Sequence, residues 1–236
     1  INRPEKKNAL TLDMYQQMAD AINASANDSA VKVIVITGQG DNFTAGNDLA
    51  DFLSNPNLKE DSAVYQFLQA MIYCPLPIVA AVKGFAIGIG ATLLLHCEQV
   101  FADHSASFSY PFISLGLVPE AGSSLLLPRL TGYQKAAHLL LTGEPILAAD
   151  AEQAGIVGQL VEGDVVAAAH SYAQKLTQKP RATLIKVKKL IRSDEEALQS
   201  RVEAELVVFT ESLQSPEAKE VMTAFMEKRA PNFDNL

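Results

Sequence analysis

Between Ala106 and Pro128 the chain carries one charged side chain, Glu120, in the setting LGLVPEAGSS. A carboxylate alone in an apolar run is a candidate acid–base group. Its surroundings exclude water, disfavour the charged form and raise the proton affinity toward that of a working base. The plainer alternative is an exposed loop glutamate after Pro119. Two glycine turns could serve beside it. GFAIGIG (84–90) joins a β-branched run to a helical one, and FTAGNDL (43–49) follows another β-branched run through a short loop. The first N–H groups of a helix have no partner within it and carry partial positive charge, so two such turns can form a two-donor hole for a developing oxyanion. Close packing of small residues is the alternative for each turn, and Asp48 can equally cap a following helix.

Other chemistries fit poorly. The dinucleotide pattern GxGxxG fails because Leu93 stands where the third glycine belongs, and no GK[ST] completes a phosphate loop. No GxSxG elbow occurs, Ser123 and Ser124 have no evident base, and His96 and Cys97 diverge as neighbours on a helix. Cys74 and Cys97 form no CxxC and no metal-like spacing with the four histidines, so no metal site is expected. Both read as reduced core thiols in a cytoplasmic compartment. The basic residues of RATLIKVKKLIR (181–192) read as a solvated helix face.

The elements that must position these groups follow from periodicity and punctuation. Thr11 can cap a helix carrying Tyr15, Met18, Ala19, Ile22 and Ala26 at helical spacing. VKVIVIT (31–37) and IVAAV (78–82) read as buried strands, QVFAD (99–103), SFSY (107–110) and IVGQLV (156–161) as shorter ones. Residues 62–73 read as a helix stopped by CPLP, ATLLLHC as a helix after the second glycine turn, and TGYQKAAHLLLTG (131–143) as a helix between glycines. After Gly163 the pattern turns helical over 163–178, 180–193, 195–214 and 217–228. An α/β core over 1–160 and a helical region over 161–236 are therefore expected. The 236 residues are 48% hydrophobic, with no run near the ~18 apolar residues of a membrane-crossing helix. A net charge of −8 argues against nucleic acid as a main partner. The opening INRP reads like the end of a strand already under way. No secretion signal is visible, and FDNL is no SKL-type signal.

These segments resemble a known family in their order. RPEKKNAL (3–10), TAGNDLADF (44–52), PIVAAVKGFAIGIGATL (77–93), SFSYPFISLGLVPEAGSS (107–124), LTGEPILAADAEQAGIV (141–157) and FMEKRAPNF (225–233) are similar to the motifs of the crotonase, or enoyl-CoA hydratase/isomerase, superfamily. The resemblance implies an α/β fold, a spiral of ββα units with a C-terminal helical trimerisation region, assembled as a homotrimer or a hexamer of two trimers. It implies an acyl-CoA thioester substrate, with coenzyme A entering as part of the substrate and no separate cofactor. Matched by position, the oxyanion donors are the N–H groups of Asn47 and Ile89, with Ala45, Gly46 and Gly88 around them. Lys6, Asn8, Ala9 and Leu10 would line the CoA groove with Asp48 and Leu49, and Lys228 would reach a phosphate. Phe43, Phe85 and Phe112 are candidates for the acyl tunnel, with core packing equally open.

Hydratases of this superfamily carry two glutamates, and the matching positions here are Thr92 and Phe112. Glu120 and its GLVPEAGSS setting instead resemble the peroxisomal-type Δ3-Δ2-enoyl-CoA isomerases, where this glutamate is the base. Moving a double bond from C3 to C2, as in fatty acid oxidation, needs only one shuttling base. A hydratase using Glu120 in a rearranged site and a noncatalytic acyl-CoA-binding protein are the competing expectations.

Overall fold

The computed structural model describes residues 1–48, 61–192, 195–227 and 229–234. Thr11 accepts from the Met14 N–H at 3.3 Å and starts α1 (Leu12–Asn27), which turns Tyr15, Ala19 and Ile22 inward. β1 (Ile34–Thr37) follows, and Ser62 caps α2 (Ala63–Tyr73). The two helices pack together, with the rings of Tyr15 and Phe67 5.4 Å apart. β2 (Ile78–Val82) turns at Lys83-Gly84 into β3 (Phe85–Ile87), then into the short α3 (Ile89–Thr92) and a 3₁₀ turn ending at His96. β4 (Gln99–Ala102) and β5 (Ser107–Ser109) repeat the strand pair. Then come α4 (Ser123–Thr131), α5 (Tyr133–Thr142), β6 (Ile146–Leu147), α6 (Ala148–Gln153) and β7 (Gln159–Leu160). The remainder is helical: α7 (Val165–Thr177), α8 (Arg181–Ile191), α9 (Glu195–Leu213) and α10 (Pro216–Glu227).

The strands form two sheets. One is parallel, in the order β1-β2-β4-β7; the other pairs β3 with β5 in parallel and β5 with β6 antiparallel. β2 and β4 lie in the first sheet while their successors β3 and β5 lie in the second, so each strand pair advances a spiral by one unit. The first unit contributes β1 to the large sheet and a single bridge, Thr44 opposite Ala86, to the small one.

β2 shows why an apolar run without polar alternation belongs at the centre. Ile78, Ala80 and Val82 face the main core, while Val79 and Ala81 join Phe101 beneath Val165 and Ala169 of α7. Each large side chain buried in this way contributes roughly 1.5–3 kcal/mol.

Several expectations change. VKVIVIT is a strand only over Ile34–Thr37 and is half-buried, and ATLLLHC becomes the end of α3 and a 3₁₀ turn. The strand expected over 156–161 shrinks to Gln159–Leu160, because only that stretch pairs with β4. GFAIGIG is not all turn, since Phe85–Ile87 form β3. The basic residues of 181–192 make a solvated face only in part: Lys186 and Lys189 are exposed, while Arg181, Lys188 and Arg192 turn inward. Lys188 is 4% exposed, 2.9 Å from Glu98, and donates to the Leu76 carbonyl at 2.7 Å. Arg192 also holds Glu98, at 3.1 Å, and Arg181 donates to the carbonyls of Val31 and Ala26. Val187, Leu190 and Ile191 point outward beside Lys186 and Lys189. The inward cations answer carbonyls at the ends of elements and the carboxylate of Glu98, which also accepts from the Ile78 N–H at the start of β2.

Candidate active site

The two glycine turns meet. Gly46 has φ +86°, and a side chain there would come 2.7 Å from the Ile87 carbonyl. A side chain on Gly90 would come 2.5 Å from the Thr44 methyl, so the start of α3 rests directly on the 44–47 loop. That loop is stitched to the N-terminal segment: the Leu10 N–H donates to the Gly46 carbonyl and the Asp48 N–H to the Leu10 carbonyl, both at 2.8 Å. In such a bridge the intervening N–H, that of Asn47, points away from the partner segment. Ile89 is the first residue of α3, whose earliest internal bonds are the Ala91 and Thr92 N–H groups to the Gly88 carbonyl. Among the described residues neither the Asn47 nor the Ile89 N–H has an acceptor. Both residues line one cavity of about 400 Å³. The Tyr15 hydroxyl donates to the Asn47 side-chain oxygen and fixes that edge.

Glu120 enters the same cavity from a turn just before α4. The turn is tightly wound, with Ala121 at φ +59° and Gly122 at φ +72°. Ser123 donates to the Glu120 carbonyl from its N–H at 3.0 Å and its hydroxyl at 2.6 Å. His96 donates from Nε2 to the Ala121 carbonyl at 2.8 Å, its ring held neutral because burial pushes its pKa down to about 4. α4 has no capping side chain of its own. Glu205, from the middle of α9, supplies the cap: Oε2 accepts from the Gly122 N–H at 2.6 Å and Oε1 from the Ser124 N–H at 2.9 Å.

The Glu120 carboxyl itself accepts from the Thr92 hydroxyl at 2.5 Å. It is half-buried and borders the cavity, so part of its surface is reachable from within. Burial pushes its pKa up to about 8; the Thr92 hydrogen bond opposes the shift and the Glu205 charge adds to it. Such a carboxyl can take and return a proton near neutral pH. No thiol competes: burial and the nearby Glu98 push Cys97 up to about 12, and burial raises Cys74 as well.

The remaining expected site residues divide. Ala45, Gly46, Asn47, Gly88, Ile89 and Glu120 line the cavity. Leu10 is buried at 2% exposure and acts through its backbone pairing, beside the half-buried Ala9. The Asn8 side chain is wholly buried and donates to the carbonyls of Gln39 and Asn42, so it organises the loop. Lys6 is exposed, and Lys7 sits with Nζ 5.1 Å above the Phe85 ring. The Asp48 carboxylate takes Arg3 at 2.7 Å. Leu49 and Lys228 lie outside the described residues. Of the three tunnel candidates only Phe112 lines the cavity. Phe43 is fully buried core, and Phe85 is 40% exposed.

The chain matches the family profile for enoyl-CoA hydratase/isomerase over residues 1–235. It belongs to the enoyl-CoA hydratase/isomerase family. Among relatives of this family, an Escherichia coli 2,3-dehydroadipyl-CoA hydratase is 34% identical over 99% of this chain and 92% of its own length. A rat enoyl-CoA delta isomerase 2 is 40% identical over 68% of this chain and 42% of its own length. The crystal structure of an enoyl-CoA hydratase/isomerase from Pseudoalteromonas atlantica T6c superimposes with a TM-score of 0.94 at 44% identity, covering 99% of this chain and 94% of that one. The protein is thus an enzyme of the crotonase superfamily, and its two-sheet spiral is the crotonase fold.

Within this family member, sequence reasoning passed over Glu205, Tyr15 and His96 as parts of the site. For Glu205 a signal existed. Leu198, Val202, Phe209 and Leu213 are buried at helical spacing, and Glu205 occupies the same stripe at 6% exposure. A charge on the apolar face of a helix needs a partner inside. Tyr15 was legible as a core residue, but nothing local shows what its hydroxyl meets.

Proposed function

We propose that the enzyme moves the double bond of 3-enoyl-CoA thioesters to the trans-2 position. Glu120 removes a proton from C2, the Asn47 and Ile89 N–H groups hold the dienolate oxygen, and Glu120 returns the proton at C4. The observation that carries this reading is the inequality of the two carboxylates on the cavity. Each oxygen of Glu205 is tied to a backbone N–H. Glu120 is bound by one hydroxyl and has its pKa raised to about 8. One carboxylate is therefore free to exchange a proton, and isomerisation needs one. Hydration needs a second group to activate or relay water. The positions where hydratases of the family carry their glutamates hold Thr92, which is committed to Glu120, and the apolar Phe112.

The cavity wall beyond Glu120 is apolar, with Leu68 of α2, Leu206 and Phe209 of α9 and Met222 of α10. This supports an uncharged aliphatic acyl chain, as in fatty acid oxidation, and the absence of water that suppresses hydration. Lys6 and Ala9, with Asp48, Leu49 and Lys228, remain the expected coenzyme A contacts, and Leu10 holds the loop beside them. The helical region after residue 160 is proposed to carry a trimer contact, supported by the exposed Val187, Leu190 and Ile191 on α8.

The test is an NMR time course with a 3-enoyl-CoA in deuterated water, run with the wild type and Glu120→Gln. The expected result is trans-2-enoyl thioester from the wild type, little 3-hydroxyacyl product, and turnover at least about a hundredfold lower in the variant. Dominant 3-hydroxyacyl product from a 2-enoyl-CoA would make the enzyme a hydratase. Binding without turnover, indifferent to the variant, would make it a carrier.

A further inference from the structure

Helix α9 places a second carboxylate behind the turn that carries Glu120. Glu205 is 6% exposed, borders the same cavity and contacts the turn through two backbone N–H groups at 2.6 and 2.9 Å. A carboxylate that accepts on both oxygens holds both donors best when ionised, because a proton on either oxygen weakens that oxygen as an acceptor and adds a donor that needs its own partner. Arg201, one turn earlier on α9 and exposed, donates to the Ser124 hydroxyl at 3.2 Å and lies on the same side as Glu205. Among the described residues, the titratable group that acts on Glu120 is Glu205; the Tyr15 phenol of α1 feels the Glu120 charge in turn, and His96 stays neutral against Ala121.

We propose that Glu205 is a positioning residue that sets the proton affinity of Glu120: it caps α4, fixes the turn, and places a negative charge behind the base. The inference rests on the reading of Glu120 as the base. Its logic is that of paired carboxylates in unequal surroundings, where one stays ionised and the other keeps its proton to a higher pH. Burial raises the pKa of Glu205 too, while Ser124, Gly122 and Arg201 pull it back toward the ionised form. Removing the Glu205 charge relieves repulsion on the ionised Glu120. The Glu120 midpoint then falls, and the acidic limb of the rate profile moves to lower pH. Removing Arg201 unshields Glu205 and moves both the other way.

The experiment reads Glu120 directly. Infrared difference titration, each protein minus its Glu120→Gln counterpart, gives the carboxyl midpoint without substrate, and the pH profile of kcat/KM is measured beside it at low salt. Glu205→Gln is expected to lower the midpoint by about one pH unit, tenfold in the ionised-to-protonated ratio, with kcat reduced more than KM is changed. Arg201→Met, which leaves both backbone hydrogen bonds in place, is expected to raise the midpoint. Unmoved midpoints in both variants would overturn the proposal and leave Glu205 a helix cap alone, detectable as a lower Tm in Glu205→Gln. If Glu205→Gln does not fold, the direction of the Arg201→Met shift decides. Because the titration needs no turnover, it stays informative if the enzyme proves not to be an isomerase.

Discussion

Glu120 couples folding to pH in a definite direction. Its carboxyl pKa is raised from an ordinary 4.5 to about 8, so the folded state prefers the protonated form. The stability this confers is complete below the ordinary carboxylate value and is lost as pH climbs toward about 8. Relative to Glu120→Gln, which cannot ionise, the wild type should therefore lose up to about 1.4 kcal/mol per pH unit across that window. Urea unfolding of both proteins at matched pH values checks this, and parallel curves would mean that Glu120 is already ionised. If Glu120 is the base, as proposed, turnover runs the opposite way, since a base must be ionised: kcat/KM should rise with pH through an acidic limb near the same midpoint. Tyr15 acts at the same scale. Tyr15→Phe removes the donor to the Asn47 side chain, and a hydrogen bond worth about 1 kcal/mol should reduce kcat about fivefold with KM little changed. Steady-state kinetics on the folded variant reads it.

At the scale of elements, the decisive contact is between the 44–47 loop and the start of α3. Gly90→Ala sets a methyl 2.5 Å from the Thr44 side chain and 3.2 Å from its carbonyl. Overpacking of this kind costs about 1–3 kcal/mol. Because the contact fixes both N–H donors, turnover should fall further than Tm suggests, as thermal melts and rate measurements on the same variant will show. The elements differ in how openly the sequence declared them. α1 and α2 have local caps and helical spacing, and β2 is a β-branched run closed by prolines and glycine, so each is readable from its own residues. α4 is not. It is apolar on most sides, holds Pro128, and takes its cap from Glu205, 83 residues away from Gly122. β3 has only three residues and exists because β5 and the Thr44 bridge pair with it. Glu120 stood out as a lone charge, whereas Asn47 and Ile89 were reached by resemblance, since a backbone N–H leaves no mark on residue type. Lys188 was misread because a charge on a helix is ordinarily solvated, and only the folded chain brings Glu98 and Leu76 to it.

The whole molecule presents apolar residues of two kinds. Those of the cavity face inward, while Val187, Leu190 and Ile191 lie 49%, 76% and 68% exposed along α8. Such a stripe supports association, and light scattering of the purified enzyme should give three times the chain mass or a multiple of it. Leu190→Glu should lower that mass, and a wild-type monomer would remove the stripe from consideration. The cavity has a consequence in time as well as in space. Its walls come from α1 and the first glycine loop at one extreme of the chain and from Val202, Leu206 and Met222 at the other. While the ribosome is still making the last helices, the oxyanion turns can already have met, but Glu120 faces solvent and α4 lacks its cap. On the proposed reading of Glu120 as the base, its turn gains its cap only when α9 docks, so a partly synthesised chain has the two donors but an uncapped turn beneath the carboxyl.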